Sequence, residues 1–298
     1  MTDQAERLRQ LSKSRQQEAA EKPSPQHGFS RVIVVASGKG GVGKTNLVVN
    51  LSIAMSKFGE NILILDTDLG MANVDILLDL TAKYTLIDVL KGEKELEDVV
   101  LQGPFNVEVI PGGAGLSEIV SLDGQQREQL ISRLSLLERK NSTLIVDCAA
   151  GLSREVLSFM AAGDEIVLVT TTEPTALADV YGIIKVLANY RLQPSVRLVV
   201  NMTGSFSEGK IVYDRLNSVC RRFLEIGVHY LGSIEFDMAV QKSVHNCYPY
   251  VLQFPRSKPA QSTIEIARNL LSGEVSPGEA EKNKGGFFRR LLNLWSDQ

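Results

Sequence analysis

The clearest chemistry in this sequence lies in a glycine-rich loop, Lys39-Gly-Gly-Val-Gly-Lys44-Thr45. Its glycines allow backbone N–H groups to come close to an anion, and the N-terminus of a following helix adds positive potential. A lysine and a hydroxyl side chain at the end of such a loop are typical of contacts to nucleotide phosphates and Mg²⁺. We therefore predict that Lys44 binds the β and γ phosphates of a nucleoside triphosphate and that the Thr45 hydroxyl binds Mg²⁺. The loop residues predicted to bind the nucleotide are Gly38, Gly40, Gly41, Val42, Gly43, Lys44, Thr45 and Asn46.

Two acidic stretches follow apolar runs further along the chain. Asp66 and Asp68 close the run Leu63-Ile-Leu, and Asp147 closes the run Leu144-Ile-Val. A carboxylate beside a γ-phosphate can orient the attacking water, and one at a strand end can hold Mg²⁺ directly or through a water. We expect Asp147 to serve the metal. Asp66 and Asp68 belong either to the same site or to a solvated acidic turn.

These residues can meet only if the segments before them are neighbouring strands of one sheet. Strands that are buried on both faces and separated by helix-length segments indicate a doubly wound, mainly parallel α/β sheet. Ligands of such a sheet bind beyond the carboxyl ends of its strands, where all the candidate residues fall. The predicted strands are Arg31–Ala36, Asn61–Asp66, Val107–Ile110, Ser142–Asp147, Glu165–Thr170, Arg197–Asn201 and His229–Gly232.

Length, charge and cysteine content narrow the class of protein. The 298 residues, 44% of them hydrophobic and 22% charged, suffice for one large α/β domain with two tails. The formal net charge of −3 gives no overall basic field, so we expect no specific nucleic-acid partner. The three cysteines form no CxxC pair, and the N-terminus has no signal-peptide pattern, which predicts a cytoplasmic protein. The predicted division is residues 1–28 as an N-terminal segment and linker, 29–272 as the nucleotide-binding domain, and 273–298 as a linker and C-terminal helix.

Lys39 stands at the start of the loop, where an ordinary phosphate-binding loop requires no charge. The loop therefore resembles the deviant Walker A motif of the family that contains MinD, ParA and the nitrogenase iron protein. The resemblance implies a P-loop ATPase that forms a homodimer when ATP is bound, with Lys39 reaching the partner's nucleotide as a catalytic group beside Lys44. It also implies that Asp68 positions the attacking water, with Asp66 as its supporting neighbour near the metal.

The base of the nucleotide can be predicted from a later strand. Guanine-specific P-loop proteins usually carry Asn-Lys-x-Asp there, whereas this chain has Val199-Val-Asn201-Met-Thr. In the family that it resembles, an asparagine at this point contacts adenine, and Phe236 and Asp237 match a second segment on the adenine side. The expected cofactors are therefore ATP or ADP with Mg²⁺ rather than GTP. A strand-ending asparagine that only caps the chain is the alternative.

The C-terminal residues form an amphipathic pattern. Arg289 and Arg290 fall on the polar side of the predicted helix. Such a helix fits either an anchor in the interface of a membrane with anionic lipids or a helix that docks on its own domain. The Gly, Glu and Lys linker before it favours the anchor, which would hold the ATP-bound dimer peripherally on the inner face of the cell membrane. The residues predicted to enter the membrane are Phe287, Phe288, Leu291, Leu292 and Trp295.

The N-terminal segment contains Asp-Gln-Ala-x-x-Leu-Arg, with Gln4, Leu8 and Arg9 as its candidate partner-binding residues. Together with the ATPase pattern and the C-terminal helix, it resembles the FlhG family, also called FleN or YlxH. That resemblance implies a regulator of flagellar number and placement whose Gln4 enters the GTPase FlhF and stimulates it, with flagellar switch-complex proteins as further partners. The alternatives are a MinD-type division-site ATPase, a ParA-like partition ATPase and a small-molecule kinase.

Overall fold

The structure is a computed structural model, and it describes residue 29 and residues 31–68, 73–111, 124–190, 195–272 and 286–296. The N-terminal segment with Gln4, Leu8 and Arg9 lies outside the described residues, as does most of the linker before the C-terminal helix. The predicted roles of both segments therefore stay predictions.

In the described part of the chain, eight strands form one sheet in the order β3-β4-β2-β5-β1-β6-β7-β8. Every neighbouring pair is parallel except β3 and β4. The doubly wound, mainly parallel α/β fold predicted from the sequence is thus confirmed. The short edge strand β3 was not predicted, because two residues carry no readable periodicity. The strands are β1 Arg31–Ala36, β2 Ile62–Asp66, β3 Leu101–Gln102, β4 Val107–Ile110, β5 Thr143–Asp147, β6 Glu165–Thr170, β7 Ser195–Thr203 and β8 His229–Glu235.

Helices cover both faces of the sheet. Alternate residues of β1 enter different cores: Val32 and Val34 pack on one face, and Ile33 and Val35 on the other. This two-sided burial explains why the strand reads as a continuous apolar run. The described helices are α1 Lys44–Lys57, α2 Val74–Leu77, α3 Leu86–Leu90, α4 Leu96–Val99, α5 Gly124–Lys140, α6 Arg154–Ala162, α7 Pro174–Asn189, α8 Phe206–Leu224, α9 Met238–His245, α10 Tyr250–Gln253, α11 Lys258–Ser272 and α12 Phe287–Ser296.

The C-terminal helix α12 docks on its own domain. Five of its apolar side chains, Phe287, Phe288, Leu291, Leu292 and Trp295, are each at most 3% exposed and belong to the core cluster that also contains residues of α5 and α6; Leu294 is partly buried against the same cluster. The Trp295 ring lies edge-on to Phe159 of α6, with 5.7 Å between ring centroids. The structure therefore has the docked arrangement, which was one of the two alternatives, and the membrane anchor stays a prediction. The sequence left the choice open, because an amphipathic pattern shows an apolar face without showing what covers it. No helix in the described ranges combines the length and apolar character that crossing a membrane requires.

Candidate nucleotide-binding site

The glycine-rich loop connects β1 to α1 at the carboxyl edge of the sheet, as the sequence predicts. Gly41 and Gly43 have φ angles of 79° and 85°, in the left-handed region that favours glycine. A Cβ atom on Gly43 would lie 2.3 Å from the side-chain nitrogen of Asn201, and one on Gly38 would lie 2.3 Å from the Cβ of Asp179. The loop therefore needs glycine both for its backbone conformation and for close packing against Asn201 of β7 and Asp179 of α7.

Lys44 and Asp147 form a buried ion pair below the loop. The Lys44 Nζ atom donates to the Asp147 Oδ1 atom at 2.6 Å, and the two residues are 8% and 0% exposed. Burial raises the pKa of Asp147, and the attraction of the Lys44 ammonium group opposes this rise. The pair places the predicted phosphate-binding lysine beside the predicted metal-binding carboxylate.

The surroundings of the second carboxylate oxygen of Asp147 show whether these residues suit Mg²⁺. This buried Oδ2 atom has no hydrogen-bond partner among the described residues. An unsatisfied buried carboxylate oxygen is costly, and oxygen ligands from carboxylates and hydroxyls are those that Mg²⁺ prefers. The donor set of Thr45 and Asp147 therefore fits Mg²⁺, either directly or through a bound water.

Asp66 organises the start of the loop that follows β2. Its Oδ1 atom accepts the Asp68 N–H at 3.0 Å, and its Oδ2 atom accepts the N–H groups of Asn73 at 3.2 Å and Val74 at 3.4 Å. Burial and the nearby charge of Asp147 raise the pKa of Asp66 to about 6. These contacts give Asp66 a positioning function beside Asp68, which is half-buried at the same strand end. The metal role of Asp66 and the water-positioning role of Asp68 stay predictions.

Lys39 points to the open side of the site. Its Nζ atom donates to the Glu173 carboxylate at 2.7 Å, and this hydrogen bond is the main cause that raises the pKa of Lys39. Both side chains are solvent-exposed, at 46% and 61%. Glu173 precedes α7 at the end of β6, so it reaches the loop from a third strand end. The sequence analysis did not connect Glu173 with the loop; its position just after an apolar strand is the signal that could have done so.

A pocket adjoins the loop on the side where the sequence predicts the adenine contacts, and those contacts stay predictions. Asn201 reaches across to the loop and donates its side-chain N–H to the Val42 carbonyl at 2.8 Å. Phe236 is 57% exposed and offers a free ring face, while the Asp237 side chain caps α9 by accepting the Ala239 N–H at 2.8 Å. The sequence analysis missed several other residues of the lining, because they come from separate elements that only folding brings together. The pocket is lined by Gly43, Asn46, Leu47, Asn201, Met202, Ile234, Glu235, Phe236, Asp237, Val240, Gln241 and Tyr250.

Comparison with known proteins gives the family of this chain. The profile of the ParA family, described as an NUBPL iron-transfer P-loop NTPase, matches residues 28–271. The chain belongs to the ParA family of P-loop NTPases, in its FlhG (FleN/YlxH) branch. It is 40% identical to the antiactivator FleN of Pseudomonas aeruginosa over 262 residues, which cover 88% of this chain and 93% of FleN. It is 31% identical to the flagellum site-determining protein YlxH of Helicobacter pylori over 270 residues, 89% of this chain and 90% of that protein.

Solved structures show the same architecture. The cell division ATPase MinD of Pyrococcus furiosus matches with a TM-score of 0.66 and 31% identity, over 82% of this chain and 99% of that one. MinD of Pyrococcus horikoshii in complex with Mg-ADP matches with a TM-score of 0.65 and 30% identity, over 83% and 99% of the two chains. The chain is accordingly an ATP-binding P-loop ATPase with a MinD-like fold.

Proposed function

We propose that this protein is an ATP-switched ATPase that dimerises around its nucleotides and regulates the number and placement of flagella. The similarity to FleN, an antiactivator, and to YlxH, a flagellum site-determining protein, supports the biological part of this proposal. The position of Lys39 carries the chemical part. Its ammonium group stands half-exposed at the mouth of the site rather than over its own loop, so a second copy of the chain can receive it.

Hydrolysis proceeds in this proposal by in-line attack of a water on the γ-phosphate. Lys44 binds the phosphates, Thr45 and Asp147 hold Mg²⁺, and Asp68 orients the water. The two lysines, one of them from the partner, supply positive charge that stabilises the transferring group, and Mg²⁺ held by Thr45 and Asp147 would add to that charge. One protomer alone lacks the second lysine, so hydrolysis depends on the dimer.

Turnover per subunit across a dilution series tests the dimer. We expect the rate to rise with protein concentration in the wild-type chain and to stay low at all concentrations in Lys39→Ala. Lys57→Ala, which removes a lysine at the far end of α1, is the matched control and should behave as wild type. A wild-type rate that is independent of concentration counts against dimer-dependent hydrolysis.

The membrane part of the proposal requires α12 to leave its dock, the apolar groove formed by α5, α6 and Phe29. The same five apolar side chains cannot be buried in the domain and inserted into lipid at once, so docking and membrane binding compete. Their transfer to lipid contributes at most roughly 5 to 8 kcal/mol per helix before the costs of immobilisation. Two helices on one dimer make the second insertion intramolecular, so the ATP state favours attachment.

Co-sedimentation with anionic liposomes tests this step. We expect more bound protein with a nonhydrolysable ATP analogue than with ADP, and loss of binding after deletion of residues 287–298. Lipid binding that persists after the deletion, or that ignores the nucleotide, argues against the anchor. Mixed vesicles without anionic lipid separate the contribution of Arg289 and Arg290 from that of the apolar face.

The N-terminal segment is the proposed activator of the GTPase FlhF. Gln4 acts in the partner's site, with Leu8 and Arg9 holding the segment, and flagellar switch-complex proteins bind elsewhere on the domain. We expect Gln4→Ala to abolish stimulation of GTP hydrolysis by FlhF while the ATPase rate of this chain is unchanged. Gln10→Ala is a control in the same segment. If a MinD-type division function holds instead, neither variant affects a flagellar phenotype.

A further inference from the structure

Phe29, the described residue nearest the N-terminus, is in contact with the C-terminal helix. Its side chain is 4% exposed, and its ring lies edge-on to Phe288 of α12, with 6.0 Å between centroids and an angle of 61°. Phe288 in turn contacts the ring of Phe287 at 5.3 Å. Because α12 forms part of the cover over Phe29, removal of the helix exposes a large apolar side chain at the point where residues 1–28 enter the fold.

A shared carboxylate makes a second connection between the same two regions. Asp164, just before β6, accepts the Val32 N–H on its Oδ2 atom at 2.8 Å. Its Oδ1 atom lies 3.5 Å from the Arg290 guanidinium of α12, which also donates to the Ala162 carbonyl at 2.9 Å. The first turn of α12 and the first residues of β1 therefore hold opposite sides of one side chain.

The beginning of α12 is fixed by a third contact. Glu138 of α5 is 3% exposed, and its Oε1 atom accepts the Phe288 N–H at 3.1 Å. A negative charge at a helix N-terminus is favourable, and here it also satisfies a backbone donor. A Cβ atom on Gly286 would lie 2.1 Å from the Glu138 Oε2 atom, so a larger residue at this position would displace the Glu138 carboxylate from the start of the helix. The helix thus enters its dock in one position, with Phe288 set against Phe29.

We propose that Phe29 and helix α12 undock as one unit, so that the two ends of the chain control each other. When α12 leaves its dock, Phe29 loses its ring neighbour and the start of β1 loosens. Because linkage is reciprocal, a partner that binds residues 1–28 and draws Phe29 out of its site weakens the docking of α12 to the same extent. This last step rests on the proposed partner role of the N-terminal segment, whereas the coupling itself is a property of the isolated chain.

The single tryptophan of the chain, Trp295, reports on docking in the full-length protein. It is 3% exposed in the docked helix, so undocking shifts its emission to longer wavelength and opens it to quenching by acrylamide. We expect Phe29→Ala to raise the undocked population, because loss of the ring pair alone changes such an equilibrium about two- to tenfold. Phe105→Ala, at a ring that is 60% exposed, is the control and should leave the emission unchanged.

The reciprocal experiment perturbs the helix and observes β1. In Gly286→Ala and Phe288→Ala, we expect the amide of Val32, measured by hydrogen exchange, to exchange about two- to tenfold faster than in wild type. Amides of β8 at the sheet edge serve as the internal control and should not change. Circular dichroism verifies folding, and Phe29→Leu replaces Phe29→Ala if the latter does not fold.

The coupling is overturned if Trp295 remains protected in a folded Phe29 variant, or if the Val32 amide is indifferent to the α12 variants. Liposome binding is scored separately. If Phe29 and α12 are coupled but lipid and partner binding are unaffected, the proposed function is refuted and the coupling stands. If lipid binding is normal but Phe29 and α12 are not coupled, the coupling is refuted and the proposed function stands.

Discussion

The nucleotide site and the dock of α12 differ in how completely one chain pairs their polar groups and buries their apolar groups. The site at the carboxyl edge of the sheet keeps an unsatisfied buried oxygen on Asp147 and exposed groups on Lys39 and Phe236. The dock of α12 reaches residues that precede β1 and β6, at the opposite edge, and it buries five of the six apolar side chains of the helix. The first region needs a ligand to become complete and, in the proposed function, also a second copy of the chain, whereas the second region is complete as long as the helix is docked. This contrast predicts that mutations at the nucleotide site change nucleotide binding and hydrolysis, whereas mutations at the dock of α12 change its docking and, through it, contacts with a partner or a membrane.

Removing the metal-binding charge should have the largest effect. Asp147→Asn keeps the side-chain shape but loses the negative charge beside Lys44 and the oxygen offered to Mg²⁺. We expect the Mg²⁺-dependent ATPase rate to fall by about 100-fold or more, since charge stabilisation dominates phosphoryl transfer. Asp79→Asn, at an exposed turn, should keep the wild-type rate. Undiminished turnover in Asp147→Asn would remove Asp147 from the metal site.

The second-largest effect should come from the apolar packing of α12 on the domain. Leu291 is 2% exposed, and Leu291→Ala removes apolar contacts that are worth about 2 to 5 kcal/mol in a well-packed core. We expect urea to expose Trp295 at lower concentration than in wild type, ahead of the loss of helix signal in circular dichroism. Leu136→Ala, at a side chain that is 52% exposed, is the matched leucine control. Coincident transitions by both probes would mean that α12 unfolds only with the whole domain.

The polar contact at the start of α12 should contribute less than its apolar face. Glu138→Ala removes the acceptor of the Phe288 N–H and should weaken docking by about 1 to 2 kcal/mol. Glu138→Gln retains an acceptor oxygen and should lose about half of that. Quenching of Trp295 measures both variants. Equal effects of the two variants would assign the contribution to charge rather than to the hydrogen bond.

The exposed ion pair of the loop should matter least within one protomer. Glu173→Gln removes the partner of Lys39, yet exposed pairs are weak, so we expect thermal stability to be unchanged. If Glu173 holds Lys39 away from a second copy, ATP-dependent dimerisation becomes more favourable by less than about fivefold, measured by sedimentation. Glu155→Gln, on the exposed first turn of α6, is the control.

The sequence by itself determined the fold and the main parts of the nucleotide site. The apolar runs of the parallel strands are buried on both faces, and this environment imposes a continuous pattern that can be read without a structure. Gly41, Gly43, Lys44 and Thr45 are readable for a similar reason, because a phosphate-binding loop is a local structure with strict backbone needs. The position of Asp147 near the loop was predictable as well, because it closes an apolar strand whose carboxyl end lies at the same edge of the sheet.

Only the tertiary structure decided which distant residues complete these features. Helix α7 and the residue before it bring Glu173 to Lys39 and Asp179 to Gly38. No local sequence pattern encodes such contacts, because more than 100 residues separate the partners. The destination of α12 was also undetermined, because an amphipathic helix gains similarly from lipid and from a protein core. Its docking depends on a groove built by α5, α6 and Phe29, which exists only when the chain is folded.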